Sequence, residues 1–178
     1  MCTIKISVFL FSLFIGITVS AQSKEDKKAI DKALATKKTL IGKDSGLTRF
    51  FNESYGYAIF PTVGKGAAVV GGAHGGGTVF QAGKAVGKTT LTQVTVGLQL
   101  GGQSYMEVIF FEDERAYENF IEGNLKLSAQ VSAVAVTAGA SADAKYNDGV
   151  AVFTAAKGGL MYEASVGGQK FTFKEWEE

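Results

Sequence analysis

The stretch "VGKGAAVVGGAHGGGTVF", Val63 to Phe80, carries seven glycines in eighteen residues, and "GKAVGKTT", Gly83 to Thr90, follows closely. Glycine at this density either cradles a phosphate or lets backbone pass close to another element, and the two uses imply different folds. A phosphate loop requires G-x-x-x-x-G-K-[ST] between a strand and a helix, so that a helix N-terminus faces the anion. Gly87-Lys88-Thr89 supplies the ending, but the position five residues before Gly87 is Ala82, and Gly83 comes one residue late. Gly64 and Gly66 open a dinucleotide fingerprint whose third glycine would fall on Val69. Neither stretch leads into a helical pattern. "TLTQVTVGLQL", Thr90 to Leu100, alternates instead, with Val94, Val96, Leu98 and Leu100 on one side. The glycines therefore read as structural: two strands joined by a glycine-rich turn, then "GKAVGKTT" as a turn between strands. No nucleotide is expected.

Outward from this stretch the chain divides by period. Ser23 to Ile41 has Ala29, Ile30, Ala33, Leu34, Leu40 and Ile41 at helical spacing, with lysines opposite and Gly42 as the stop. A short helix is predicted over Ser45 to Ser54 around Leu47, Phe50 and Phe51. "YAIF", Tyr57 to Phe60, reads as a strand ending at Pro61, the only proline. "SYMEVIFF", Ser104 to Phe111, reads as the hairpin partner of the alternating strand across Gly101-Gly102. Glu112 to Gly123 turns helical, with Ala116, Phe120 and Ile121 inward. Further strands are predicted at Leu127 to Ala138, Gly149 to Thr154, and from "GLMYEAS" through "KFTF". The fold class is α+β: N-terminal amphipathic helices, then a curled, mostly antiparallel β-sheet or partial barrel with one further helix.

Composition narrows the function. The chain has 178 residues, 46% apolar and 20% charged, and its formal net charge of +1 gives no pull toward nucleic acid. Residues 1–21 read as a signal peptide: Lys5, the apolar run Ile6 to Val19, then "VSA" ending at Ala21. Cleavage there removes Cys2 and with it thiol chemistry. His74 is the only histidine, no G-x-S-x-G elbow exists, and no zinc-ligand spacing occurs. No catalytic constellation, cofactor or metal is expected, and the protein reads as a non-enzyme.

The order of blocks resembles the SYLF domain family, also called the yeast-type actin-binding domain family. The residues are "YGYAIFPTVGKGAAVVGGAHGGGTVF", "TVGLQLGGQSYMEVIFF", "ERAYENFIEGNLKLSAQVSAVA" and "FTAAKGGLMYEASVGGQKF", from about Asn52 to Phe173. The closing block departs from the family's usual Tyr and Ser at Phe153 and Ala156. The resemblance implies a lipid-binding module, since eukaryotic relatives bind phosphoinositides and some act with actin. For an exported chain it implies a bacterial secreted member, periplasmic or envelope-associated, in contact with phospholipid.

Charge distribution adds a second argument. Residues 22–43 form a basic amphipathic segment with seven lysines and three acids, net +4. Residues 44–178, the glycine-rich β domain, hold ten basic and fourteen acidic residues, net −4. A basic helix ahead of an acidic body suits an anionic phospholipid surface. The candidate lipid-binding residues are Lys24, Lys27, Lys28 and Lys32 on the helix, and Lys65, Lys84 and Lys88 near the glycine-rich turns. The alternative is a structural or protein-interaction module of the envelope without lipid affinity, in which open strand edges pair to form a homo-oligomer.

Overall fold

The computed structural model describes residues 24–66, 70–96, 103–127, 133–157 and 166–176. The expected signal peptide, the Gly101-Gly102 turn and "GLMYEAS" lie outside the described residues. Two helices open the fold, α1 at Lys24–Lys43 and α2 at Leu47–Glu53. Four strands follow: β1 Gly56–Gly66, β2 Val70–Gln81, β3 Lys84–Val96 and β4 Gln103–Phe111. Helix α3, Glu114–Ile121, precedes β5 Val134–Ala135, β6 Val150–Ala156 and β7 Gln169–Glu175. The class is α+β; among the described residues there are three helices and seven strands, the strands in one sheet of order β5-β6-β4-β1-β2-β3-β7. All pairings are antiparallel except the two-residue β5–β6 ladder. The sheet is open, with β5 and β7 at its edges.

The glycine-rich stretch departs from the expected turn. Gly72 to Gly77 and His74 lie inside β2, paired with β1 on one side and β3 on the other. The tight turn comes later, at Ala82-Gly83, both with positive φ (48° and 79°) between Gln81 and Lys84. Positive φ at both central residues suits the twist of a two-residue hairpin. Gly87-Lys88-Thr89 then lies within β3, so no strand-to-helix loop forms there. Pro61 does not end β1. The strand continues to Gly66, and the register shifts between Ile59 and Thr62 against β2 and between Phe60 and Val63 against β4. A proline lacks an N–H for the ladder, and a bulge is where a sheet tolerates that loss.

Side-chain alternation sends each strand's residues to two separate cores. On one face Tyr57, Ile59, Phe80, Met106, Val108, Phe110 and Phe153 meet α1 and α2. Leu47, Phe50 and Phe51 of α2 are all buried there, as their spacing predicts. Phe50 sits edge-on to Phe153 at 4.9 Å and Phe51 edge-on to Tyr57 at 5.0 Å. On α1 the buried stripe is Ala33, Thr36 and Leu40, while Leu34, expected inward, is 41% exposed. The helix also runs past Gly42 to Lys43. Lys37 ties α1 to β1, with Nζ donating to the Tyr57 hydroxyl (3.3 Å) and lying over the Phe51 ring at 4.5 Å. The α1–α2 corner is held by Asp44, whose carboxylate accepts from Gly46 N (3.0 Å) and from the distant Ser141 N (2.7 Å).

The other face gathers Phe60, Val63, Val79, Leu91, Tyr105, Ile109, Phe111 and Phe171 under α3. Asp113 caps α3 through Ala116 N (2.8 Å), and Ala116 and Phe120 are buried while Ile121 packs at the edge. The sheet curls toward this face. In a flat sheet β4 and β7 would stand four strand spacings, about 19 Å, apart. Yet Gln169 Nε2 of β7 donates to Glu107 Oε2 of β4 at 3.0 Å. Glycine permits this approach. A Cβ on Gly77 would lie 2.7 Å from Ile59 O and from Phe60 Cδ1, and one on Gly87 would lie 2.5 Å from the Phe173 ring. None of the β2 glycines described has positive φ, so at Gly75 and Gly77 lack of space, not backbone conformation, excludes a side chain.

Candidate functional site

The helix face of the sheet is not completely covered. Between its start and Ala33, α1 has no fully buried residue, and beneath this half lies a groove of about 600 Å³. Lys28 and Lys32, one turn apart, line its helix side beside Ala29 and Glu25. Strand residues form the floor: Pro61 and Thr62 of β1, Gly76 and Thr78 of β2, Lys88 and Thr90 of β3. Thr78 and Lys88 are cross-strand partners, as are Gly76 and Thr90. Strand alternation therefore sets all four on the face that carries α1, while Gly75, Gly77 and Leu91 point into the opposite core. A Cβ added to Gly76 would meet nothing within 4 Å, so its side-chain space opens into the groove. At the rim, exposed Lys157 donates from Nζ to Thr62 Oγ1 at 2.6 Å.

Of the candidate lysines, the structure brings together Lys28, Lys32 and Lys88. Lys24 and Lys27 are exposed on α1 but do not line the groove. Lys84, at the β2–β3 turn, lines a separate hollow with Ser54, Tyr55 and Gln81. The Lys65 backbone pairs with Ala73 and Gln103, and its side chain lies outside the described residues. Sequence reasoning missed Thr62, Thr78, Thr90, Gly76 and Lys157. The threonines share the alternation of Lys88, a signal that was available. Lys157 carries no such signal, since only the pairing of β6 with β4, and of β4 with β1, brings it to Thr62.

A second polar cluster lies inside the curl. Glu107 is 0% exposed, and its Oε1 has no hydrogen-bond partner among the described residues. Burial pushes its carboxyl up to about 8, against hydrogen bonds from Gln169 and Tyr105 that favour the ionised form. Burial likewise raises the Tyr105 hydroxyl, and the Glu107 charge adds to the effect. Thr154, the cross-strand partner of Glu107, is buried with an unpartnered hydroxyl. This cluster joins β4, β6 and β7 and is sealed from solvent, so it has the character of a structural element and not of a substrate site. At Asp44 burial acts to raise the carboxyl, but hydrogen bonds led by the Ser141 N–H prevail and hold it below the usual carboxylate range. His74 stands exposed in β2 between Gly64 and Thr92.

Comparison with known proteins gives two findings. Residues 92–177 match the family described as "Ysc84: Las17-binding protein actin regulator". The match begins within β3, so it takes in the β4 to β7 half of the sheet and leaves out α1, α2 and the β1–β2 glycine hairpin. The chain is also 30% identical, over an alignment of 150 residues, to "Beta cell expansion factor A" of Aeromonas veronii. That alignment takes in 72% of this chain and 53% of the relative, so the chain spans about half the relative's length. Among the described residues, no helix is long and apolar enough to cross a membrane.

Proposed function

Because the chain belongs to the Ysc84 family, the SYLF domains, through residues 92–177, we propose that it is a non-enzymatic module that binds anionic phospholipid at a membrane surface. The family is one of binding domains, and its printed description concerns Las17 and actin. The observation that carries the lipid reading for this chain is the convergence of Lys28, Lys32 and Lys88, from two separate elements, on one groove. Cations brought together over a partly apolar floor attract phosphate-bearing headgroups, at about 1 kcal/mol per lysine near an anionic surface. Export by a signal peptide ending at Ala21, and residence at the periplasm or envelope, complete the proposal. So does the division into signal peptide, basic helix (22–43) and β domain (44–178).

Cosedimentation of the mature chain with vesicles of rising phosphatidylglycerol content tests this reading. Binding should rise with anionic content and fall with salt, as the Debye length shrinks from about 10 Å at 0.1 M toward 3 Å at 1 M. Changing Lys24, Lys27, Lys28 and Lys32 together to glutamine should weaken binding by several kcal/mol, on the order of 1 per charge, and flatten the salt dependence. Unchanged binding in that variant would reduce the lysine face to a solvated surface. Absence of vesicle binding by the parent would favour a protein-interaction module, for which the open edges at β5 and β7 offer pairing sites.

A further inference from the structure

We infer that the groove between α1 and the β1–β3 floor is a discrete site for the headgroup of one anionic phospholipid. In this inference, which rests on the membrane reading above, the lysines bind one phosphate directly and are not only a diffuse charge. Three observations converge. The groove volume of about 600 Å³ falls in the range of built small-ligand sites, about 300–1,000 Å³. Its cations come from α1 and β3, two elements fixed by separate packing, so Lys28, Lys32 and Lys88 face a common space without being neighbours in sequence. Lys157, held on Thr62 Oγ1, adds a fourth cation at the rim. Glu25 is the one acid among the lining residues, so the lining itself is net positive by two charges (Lys28, Lys32 and Lys88 less Glu25).

The floor explains the choice of lipid over free phosphate. Pro61 and Gly76 present apolar surface in the floor, with Ala29 opposite on the helix side, and the threonine hydroxyls stand in the floor beside them. A phosphate with a glycerol neck meets both chemistries: its charged oxygens reach the ammonium groups and hydroxyls, and its carbon part lies on the glycine floor. An inorganic anion uses only the first. Gly76 supplies the depth, since its missing side chain leaves more than 4 Å of open space where any other residue would project.

The test fills the groove without touching a charge. Gly76→Leu places an alkyl side chain in the floor at an exposed strand position that has no positive φ and no neighbour to strike. Lys88→Gln removes a floor cation and serves as the second variant. The probe is dihexanoyl phosphatidylglycerol below its micellar concentration, titrated by calorimetry or by amide chemical shifts, with inorganic phosphate in a parallel arm. The parent should bind the short lipid saturably at one per chain, and inorganic phosphate at least tenfold more weakly. Each variant should lose tenfold or more in short-lipid affinity while keeping the parent's melting temperature within a few degrees. Equal short-lipid binding by the parent and Gly76→Leu would overturn the inference, as would phosphate binding as tight as lipid. Failure of the parent to sediment with anionic vesicles would sink the membrane reading itself. Sedimentation that survives in both variants, without saturable short-lipid binding, would sink only the discrete site.

Discussion

Gly76 and Gly77 are adjacent in β2 and face opposite sides of the sheet. On one side a Cβ would meet nothing within 4 Å; on the other it would lie 2.7 Å from the β1 backbone and the Phe60 ring. The concave side is crowded because the sheet curls onto it and packs Phe60, Phe171 and Phe120 against one another. The helix side is open at one end because α1 anchors only from Ala33 onward. The difference teaches that one residue type in one strand does two jobs. Facing the crowded side, glycine permits close packing; facing the open side, it leaves room for a ligand.

The largest effect expected from this contrast is at Glu107. Burial pushes its folded pKa up to about 8, above the ordinary carboxyl range, so the folded state holds a proton that the unfolded chain releases. The stabilisation from this group is therefore fully present below about pH 4.5 and is lost as pH rises toward 8, by several kcal/mol, on the order of 4, at about 1.4 per pKa unit. Glu107→Gln should abolish that decline, and urea unfolding at pH 5 and pH 8.5 checks it. The glutamine amide has a natural acceptor in Gln169 Oε1, which is buried without a partner. A parent protein equally stable at both pH values would show that the concave face is not sealed around this carboxyl.

Next in size is Gly77→Val, which must push Phe60 and the β1 backbone aside and should cost about 3 kcal/mol, the upper end for overpacking. Gly76→Val makes the sharpest contrast. With open space and a β-favouring side chain it should leave stability unchanged or raise it by up to about 1 kcal/mol. Thermal melts of the two single variants decide the matter, and equal losses would erase the distinction between the faces. A smaller effect belongs to the corner that holds α1 in place. Asp44→Ala strands the Ser141 and Gly46 N–H groups, and should cost about 1–3 kcal/mol at pH 7. The Asp44 carboxyl lies below its ordinary value, so its contribution is present above that value and is lost as pH falls through the lower folded pKa. The parent and the variant should therefore converge in strong acid.

Much of the architecture was legible in period alone. Leu47, Phe50 and Phe51 marked α2, Ala116 and Phe120 marked α3, and "SYMEVIFF" marked β4 to within a residue. Boundaries failed where tertiary pairing overrode a local stop signal. Pro61 was absorbed by a bulge between two partner strands, and Gly42 did not end a helix whose last turn is held by Asp44. Leu34 fits the apolar spacing of α1, but the buried stripe takes Thr36, whose hydroxyl turns back to Lys32 O (2.8 Å) and so buries at no polar cost. At the candidate site, the basic character of α1 was visible as a charge count, and Lys88 was named for its place near a turn. The meeting of Lys28 and Lys32 with Lys88 was not visible, because it depends on how α1 crosses the sheet.

By itself the sequence determined that the glycine stretch matches neither phosphate motif: the spacing fails both, and an alternating strand follows where each motif needs a helix. It also determined the helix-then-sheet order and the family resemblance, since both are carried by local pattern. Only the tertiary structure decided that Gly72 to Gly77 form a strand and not a turn, which of them face crowding, and that Glu107 is sealed beside a glutamine sixty-two positions away. The physical reason is that curl and helix crossing are set by long-range packing. A strand's alternation tells which residues share a face, but not how closely that face is approached by the rest of the chain.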